Sequence, residues 1–124
     1  MFEGVSDVFL PVSDLYRSIE WYEKVLGFRR LRVDERRGSA GLGMGDSVGL
    51  NLIECRPHRP LEFPPNKNEV EFAFNLRTKD IQAVHERLDA AGVDVDEITP
   101  SFDGSFTCFA FSDPDGNRMS VVCN

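Results

Sequence analysis

The sequence predicts an α+β fold built from two copies of one βαβββ unit. Residues 5–28 read as a strand, then Ser13-Asp14-Leu15, a helix, and Leu26-Gly27-Phe28. Residues 69–93 repeat that order with Lys79-Asp80-Ile81, a helix, and Ala91-Gly92-Val93. Self-similarity of this size marks two copies of one supersecondary unit packed together. Both copies open on period-2 alternation, the mark of a strand with one face on a core. Each helix is followed by three more strand-like runs separated by turn residues.

In the first unit, Val8, Leu10 and Val12 point to the core, and Asp7, Phe9 and Pro11 point away. Asp14 then opens a helix, where a carboxylate suits the positive end of the helix dipole. Leu15, Ile19, Tyr22 and Leu26 form its buried stripe, and Gly27 supplies a left-handed cap. Strands are expected over 28–34, 39–44 and 48–54, with turns at Glu35–Gly38 and Gly45-Asp46.

Residues 55–68 break the pattern. Pro57, Pro60, Pro64 and Pro65 keep the stretch out of helix and central strand. It reads as the connection between units, either a plain linker or an arm anchored by Leu61 and Phe63 over a pocket or a partner subunit.

The second unit opens on an expected strand over 69–76. Val70, Phe72, Phe74 and Leu76 face inward, and Glu69, Glu71, Ala73 and Asn75 outward. The helix stripe is Ile81, Val84, Leu88 and Ala91, with Gly92 as cap. Strands are expected over 93–99, 106–111 and 118–123. The turn Asp113-Pro114-Asp115-Gly116-Asn117 joins the last two, with proline presetting the second turn position. The expected organisation is a single domain over 1–124: a first module over 1–55, the connection over 56–68, and a second module over 69–124.

Composition is that of an ordinary globular chain. No apolar run nears the roughly 20 residues of a membrane helix. The first residues lack a signal-peptide pattern, and the three cysteines lack zinc spacing, so the expected setting is cytoplasmic. Net charge is −7, with five basic against eleven acidic residues after position 62. Such a surface repels phosphate backbones and favours cationic ligands, so no nucleic-acid partner is expected.

The stretch DVFLPVSDLYRSIEWYEKVLGF, the repeated DIQAVHERLDAAGV and the closing FSDPDGNRMSVV resemble the vicinal oxygen chelate superfamily. That superfamily includes glyoxalase I, bleomycin-resistance proteins and ring-cleaving dioxygenases. The resemblance covers essentially the whole chain. It implies two βαβββ modules forming a curved eight-stranded mixed sheet of two half-barrels, with the helices outside, a concave pocket and a homodimer. It also implies where a metal would sit, on the first and last strand of each module. Here those positions read Asp7, Asn51, Glu71 and Ser120. Alternation independently puts all four on the non-core side of their strands.

Iron oxygenases want two histidines and a carboxylate. This chain has only His58, in the connection, and His85, on the second helix. Ring cleavage is therefore not expected, and no cofactor is expected. Asp7 and Glu71 remain candidate oxygen ligands for a divalent metal such as Mg²⁺, Ca²⁺ or Mn²⁺. No Ser or Cys has a local base, and Gly41, Gly43 and Gly45 precede no helix, so they are not a phosphate loop. Phe9, Phe109 and Phe111 are expected to wall the pocket, while Cys108 and Trp21 are assigned to the core. The expected pocket is thus Asp7, Phe9, Asn51, Glu71, Phe109 and Ser120. The expected function is binding of a small, cationic or aromatic molecule, of the bleomycin-resistance type. The alternatives are a metal-dependent lyase, isomerase or epimerase with a carboxylate-rich ligand set, and a non-catalytic structural or regulatory dimer.

Overall fold

The structure is a computed structural model that describes residues 1–45 and 48–123. The chain divides into two compact units, Met1–Pro60 and Leu61–Asn124, and the division falls inside the proline-rich stretch. Among the described residues eight strands form two four-stranded mixed sheets, one per unit.

The first unit runs β1 (Asp7–Val12), α1 (Leu15–Lys24), β2 (Arg29–Asp34), β3 (Ser39–Gly43) and β4 (Gly49–Glu54). The sheet order is β1-β4-β3-β2, with β1 parallel to β4 and the other pairs antiparallel. A parallel pair needs a crossover, and α1 is part of that crossover. The helix starts where Asp14 accepts a hydrogen bond from the Arg17 N–H at 3.1 Å, while Glu54 accepts from the Leu15 N–H at 2.9 Å. Two N–H groups that the first turn cannot satisfy internally are thereby paired. At the other end, Gly27 takes φ +75° and the Phe28 N–H reaches the Tyr22 carbonyl at 3.1 Å. Only a residue without Cβ adopts that turn without strain. Leu15, Ile19 and Tyr22 are buried on α1, with Leu10, Val12, Ala40, Leu42, Leu50 and Leu52 from the sheet. The 35–38 turn forms as expected; of the Gly45-Asp46 turn, Asp46 lies outside the described residues.

The second unit runs β5 (Asn75–Arg77), α2 (Ile81–Ala90), β6 (Thr99–Pro100), β7 (Thr107–Ser112) and β8 (Arg118–Cys123), in the order β5-β8-β7-β6. Asp80 caps α2 through the Ala83 N–H at 3.0 Å. Leu88, Val93, Phe109, Phe111, Met119 and Val121 are buried.

Two expected strands shorten. The 69–76 run keeps its alternating burial, yet only its last two residues lie in β5. Asn75 lies opposite Ser120 in a parallel ladder. Residues before Ala73 would therefore face the 113–117 turn, which offers no strand to pair with. The 93–99 run contributes one bridge, Val95 to Phe111, before β6 begins at Thr99. Pro100 sits in β6 at the sheet edge, where a missing N–H costs nothing.

The turn between β7 and β8 is closed by Asp113. Its carboxylate accepts from the Asp115 N–H at 2.9 Å, the Asn117 N–H at 2.8 Å and the Asn117 amide at 2.9 Å. Asn117 in turn accepts from the Leu61 N–H at 3.0 Å, tying the start of the second unit to this turn.

Candidate functional site

In each unit the helix packs on one sheet face, and among the described residues of that unit no helix lies on the other. In the first unit the uncovered face carries a polar row. The Asn51 amide donates to Asp7 Oδ1 at 3.0 Å and accepts from Arg32 Nη2 at 3.3 Å. A carboxylate on one side and a guanidinium on the other leave the amide one orientation. Ser6 donates to Asp7 Oδ2 at 2.6 Å. Asn51 is 5% exposed, while Asp7 and Arg32 are exposed. The Ser6 and Asn51 hydrogen bonds, with Arg32 adding to them against a little desolvation, hold the Asp7 carboxyl below its ordinary range. It is therefore an anion at neutral pH.

The floor around this row is glycine. A Cβ on Gly41 would lie 3.4 Å from Asn51 Oδ1 and 3.5 Å from Arg32 Cγ, one on Gly43 3.0 Å from Leu31, and one on Gly49 3.1 Å from Asp7 Oδ1. Phe9 pairs across the ladder with Asn51 and is 62% exposed; Leu31 is 60% exposed. Two apolar side chains thus flank an oriented row of charges over a glycine floor.

The second unit is different. Ser120 lies opposite Asn75 on β5 and Ala110 on β7, and is buried. Glu71 faces Arg118, whose Nε is 3.2 Å from Glu71 Oε2. The same guanidinium reaches Asp96 at 2.7 Å and donates to Ser112 at 3.1 Å. The strand register also moves the counterpart of Asp7. Phe9 faces Asn51 and Asn75 faces Ser120, so the residue matching Asp7 is Ala73, two places after Glu71. The caps Asp14 and Asp80 follow Phe9 and Asn75 at equal spacing, which agrees.

Phe109 takes the opposite side from the one expected. It is 2% exposed, with its ring 4.9 Å from that of His85 on α2 in an edge-on contact, and Phe111 beside it at 6.3 Å. His85 also donates Nε2–H to the Asp96 carbonyl at 2.9 Å. The helix therefore covers the Phe109 and Phe111 side. By alternation Cys108, assigned to the core from sequence, shares the other face with Ala110 and Ser112. His58 lies in the connection, its Nε2–H donating to the Pro11 carbonyl at 3.3 Å. Sequence reasoning missed Arg32. Its strand carries a register shift between Arg30 and Arg32, so alternation does not say which arginine turns toward Asn51.

A divalent metal does not fit these donors. Both Asp7 oxygens accept hydrogen bonds, the Asn51 oxygen faces the Arg32 guanidinium, and Glu71 faces that of Arg118. Among the described residues no group of three or more His, Cys, Asp or Glu is placed to hold an ion.

Two βαβββ units, each with a helix on one sheet face, define a class of proteins made by duplicating one module. The chain belongs to the glyoxalase/bleomycin resistance protein/dioxygenase superfamily, whose family model matches residues 4–121. It is 30% identical to the glutathione transferase FosA of Serratia marcescens, over 98% of this chain and 81% of that protein. It is 32% identical to the lactoylglutathione lyase of Haemophilus influenzae, over 93% of this chain and 88% of that one. Among solved structures it is similar to TnmS3, an antibiotic binding protein from a Streptomyces species, with TM-score 0.78 and 25% identity over 97% and 94% of the two chains. Among the described residues no helix is long and apolar enough to cross a membrane.

Proposed function

We propose that this protein binds a small organic molecule non-covalently on the helix-free sheet face of its first unit. Phe9 and Leu31 supply apolar contact, and Asp7, held by Ser6 and Asn51, supplies an acceptor for a cationic or hydrogen-bond-donating group. Ser120 belongs to the corresponding face of the second unit. The observation that carries this reading is Phe9, a large ring 62% exposed beside an ionised, oriented carboxylate over a glycine floor. Apolar walls beside a few oriented polar groups are the make-up of a small-molecule site. The likeness to an antibiotic binding protein supports it. The working state under this reading is a cytoplasmic homodimer, which sedimentation of the purified protein checks.

The test is a thermal-shift screen of aromatic amines on the wild type, Phe9→Ala and Asp7→Ala. A ligand at about 100 times its Kd adds about 2.7 kcal/mol of stability. The reading expects hits whose shift falls in both variants. It is overturned if no compound shifts the wild type, or if both variants respond unchanged.

A second reading, a metal-dependent lyase or isomerase, is favoured by the likeness to a lactoylglutathione lyase. The donor set argues against it, and no step is derived through a metal. Stoichiometric metal in untagged protein, with a thermal shift on adding Mn²⁺ or Ni²⁺, would restore it.

A further inference from the structure

We infer that the ligand of this face is a zwitterion, its cation on Asp7 and its anion on Arg32. The inference rests on the reading of this face as a ligand site and names the chemistry that fits it. Among the described residues Arg32 forms no ion pair, and its one hydrogen-bond partner is the neutral Asn51 amide. The other arginine of comparable placement, Arg118, is neutralised by Glu71 and Asp96. Arg32 therefore keeps donors free in a fork that suits a carboxylate. Asp7 likewise has no cationic partner within ion-pair distance among the described residues, although both of its oxygens are held in place. Opposite charges stand on one face with a fixed amide between them.

The spacing suits such a ligand. The Asn51 amide N and O are about 2.2 Å apart. Asp7 Oδ1 and Arg32 Nη2 are linked through that amide by hydrogen bonds of 3.0 and 3.3 Å, so they are at most about 8.5 Å apart. A charge-assisted hydrogen bond at each end takes about 2.8 Å. Even at that maximum, a ligand bridging above the amide with its cation and anion about 3 Å apart reaches both groups. An α-amino acid has that spacing. Phe9 and Leu31 flank the row and suit an aromatic or aliphatic side chain on the same molecule.

The test uses four probes that share one ring: phenylalanine with both charges, phenethylamine with the cation, 3-phenylpropionate with the anion, and 2-phenylethanol with neither. Binding is followed by amide chemical-shift changes at Phe9, Asn51 and Arg32 in the full-length protein. Phenylalanine should bind at least about tenfold more tightly than either singly charged probe, as two charge-assisted contacts require. Arg32→Gln should reduce phenylalanine to the affinity of phenethylamine, and Asp7→Asn should reduce it to that of 3-phenylpropionate. Phenethylamine binding as tightly as phenylalanine, or an unchanged ranking in Arg32→Gln, overturns the inference. If all four probes bind alike and lose affinity in Phe9→Ala, the site stands and the zwitterion falls. If none moves Phe9 or Asn51, both fall.

Discussion

Truncating Asn117 to alanine tests the turn that joins β7 to β8. The side chain is fully buried. It donates to the Asp113 carboxylate at 2.9 Å and accepts from the Leu61 N–H at 3.0 Å, while its own N–H bond to Asp113 survives the change. A hydrogen bond to a charged group contributes about 1.5–3 kcal/mol, and a neutral one about 1 kcal/mol. Asp113 keeps its two backbone donors, so part of the charged term is recovered. The expected loss is about 3 kcal/mol for the second unit. For a chain of this length that is a fall in Tm of about 10 °C. Urea unfolding at neutral pH, followed by circular dichroism, measures it. Phe102→Ala, at a fully exposed position, is the control and should change stability by less than about 0.5 kcal/mol. An Asn117→Ala loss below about 1 kcal/mol would refute the reasoning, because it would mean that water replaces both contacts.

Gly49→Ala places a Cβ 3.1 Å from Asp7 Oδ1, whereas Gly41→Ala meets only ordinary contacts. The first should therefore raise the Asp7 pKa toward its ordinary 3.8 and the second should not, as read by side-chain carboxyl NMR titration. The Asp7 carboxyl is depressed in the folded state, so its stabilisation is present above the unfolded pKa and is lost as pH falls through the lower folded value. Ser6→Ala removes the leading cause, so wild type and variant should differ in urea stability at pH 6 and converge as pH falls below the folded Asp7 value. Leu52→Ala, in the core against α1, should cost about 2–5 kcal/mol in thermal or urea unfolding.

The duplicated module was legible because its signals are local. Asp14 and Asp80 each place a carboxylate three residues before the first-turn N–H it accepts from, and Gly27 and Gly92 adopt φ +75° and +81°. No distant contact is needed to recognise either. Alternation put Asp7, Phe9 and Asn51 on the face of β1 and β4 opposite the buried Leu10, Val12 and Leu52, and the ladder has the same facing. It failed on β7, where Phe109 and Phe111 on one side and Cys108 and Ala110 on the other are all apolar enough for a core. His85, from a helix far along the chain, settles which side is covered.

Short-range chemistry encoded in the chain itself therefore determined the two units, their helix limits and the first-unit face. Pairing between distant segments decided the rest. Which residue stands opposite Ser120 depends on where β8 begins, and that makes Ala73, not Glu71, the counterpart of Asp7. Which arginine meets Asn51 depends on a register shift in β2. Register is set by hydrogen bonds across a sheet, and a displacement of one residue turns a side chain to the opposite face, so these assignments could be made only once the strands were in place.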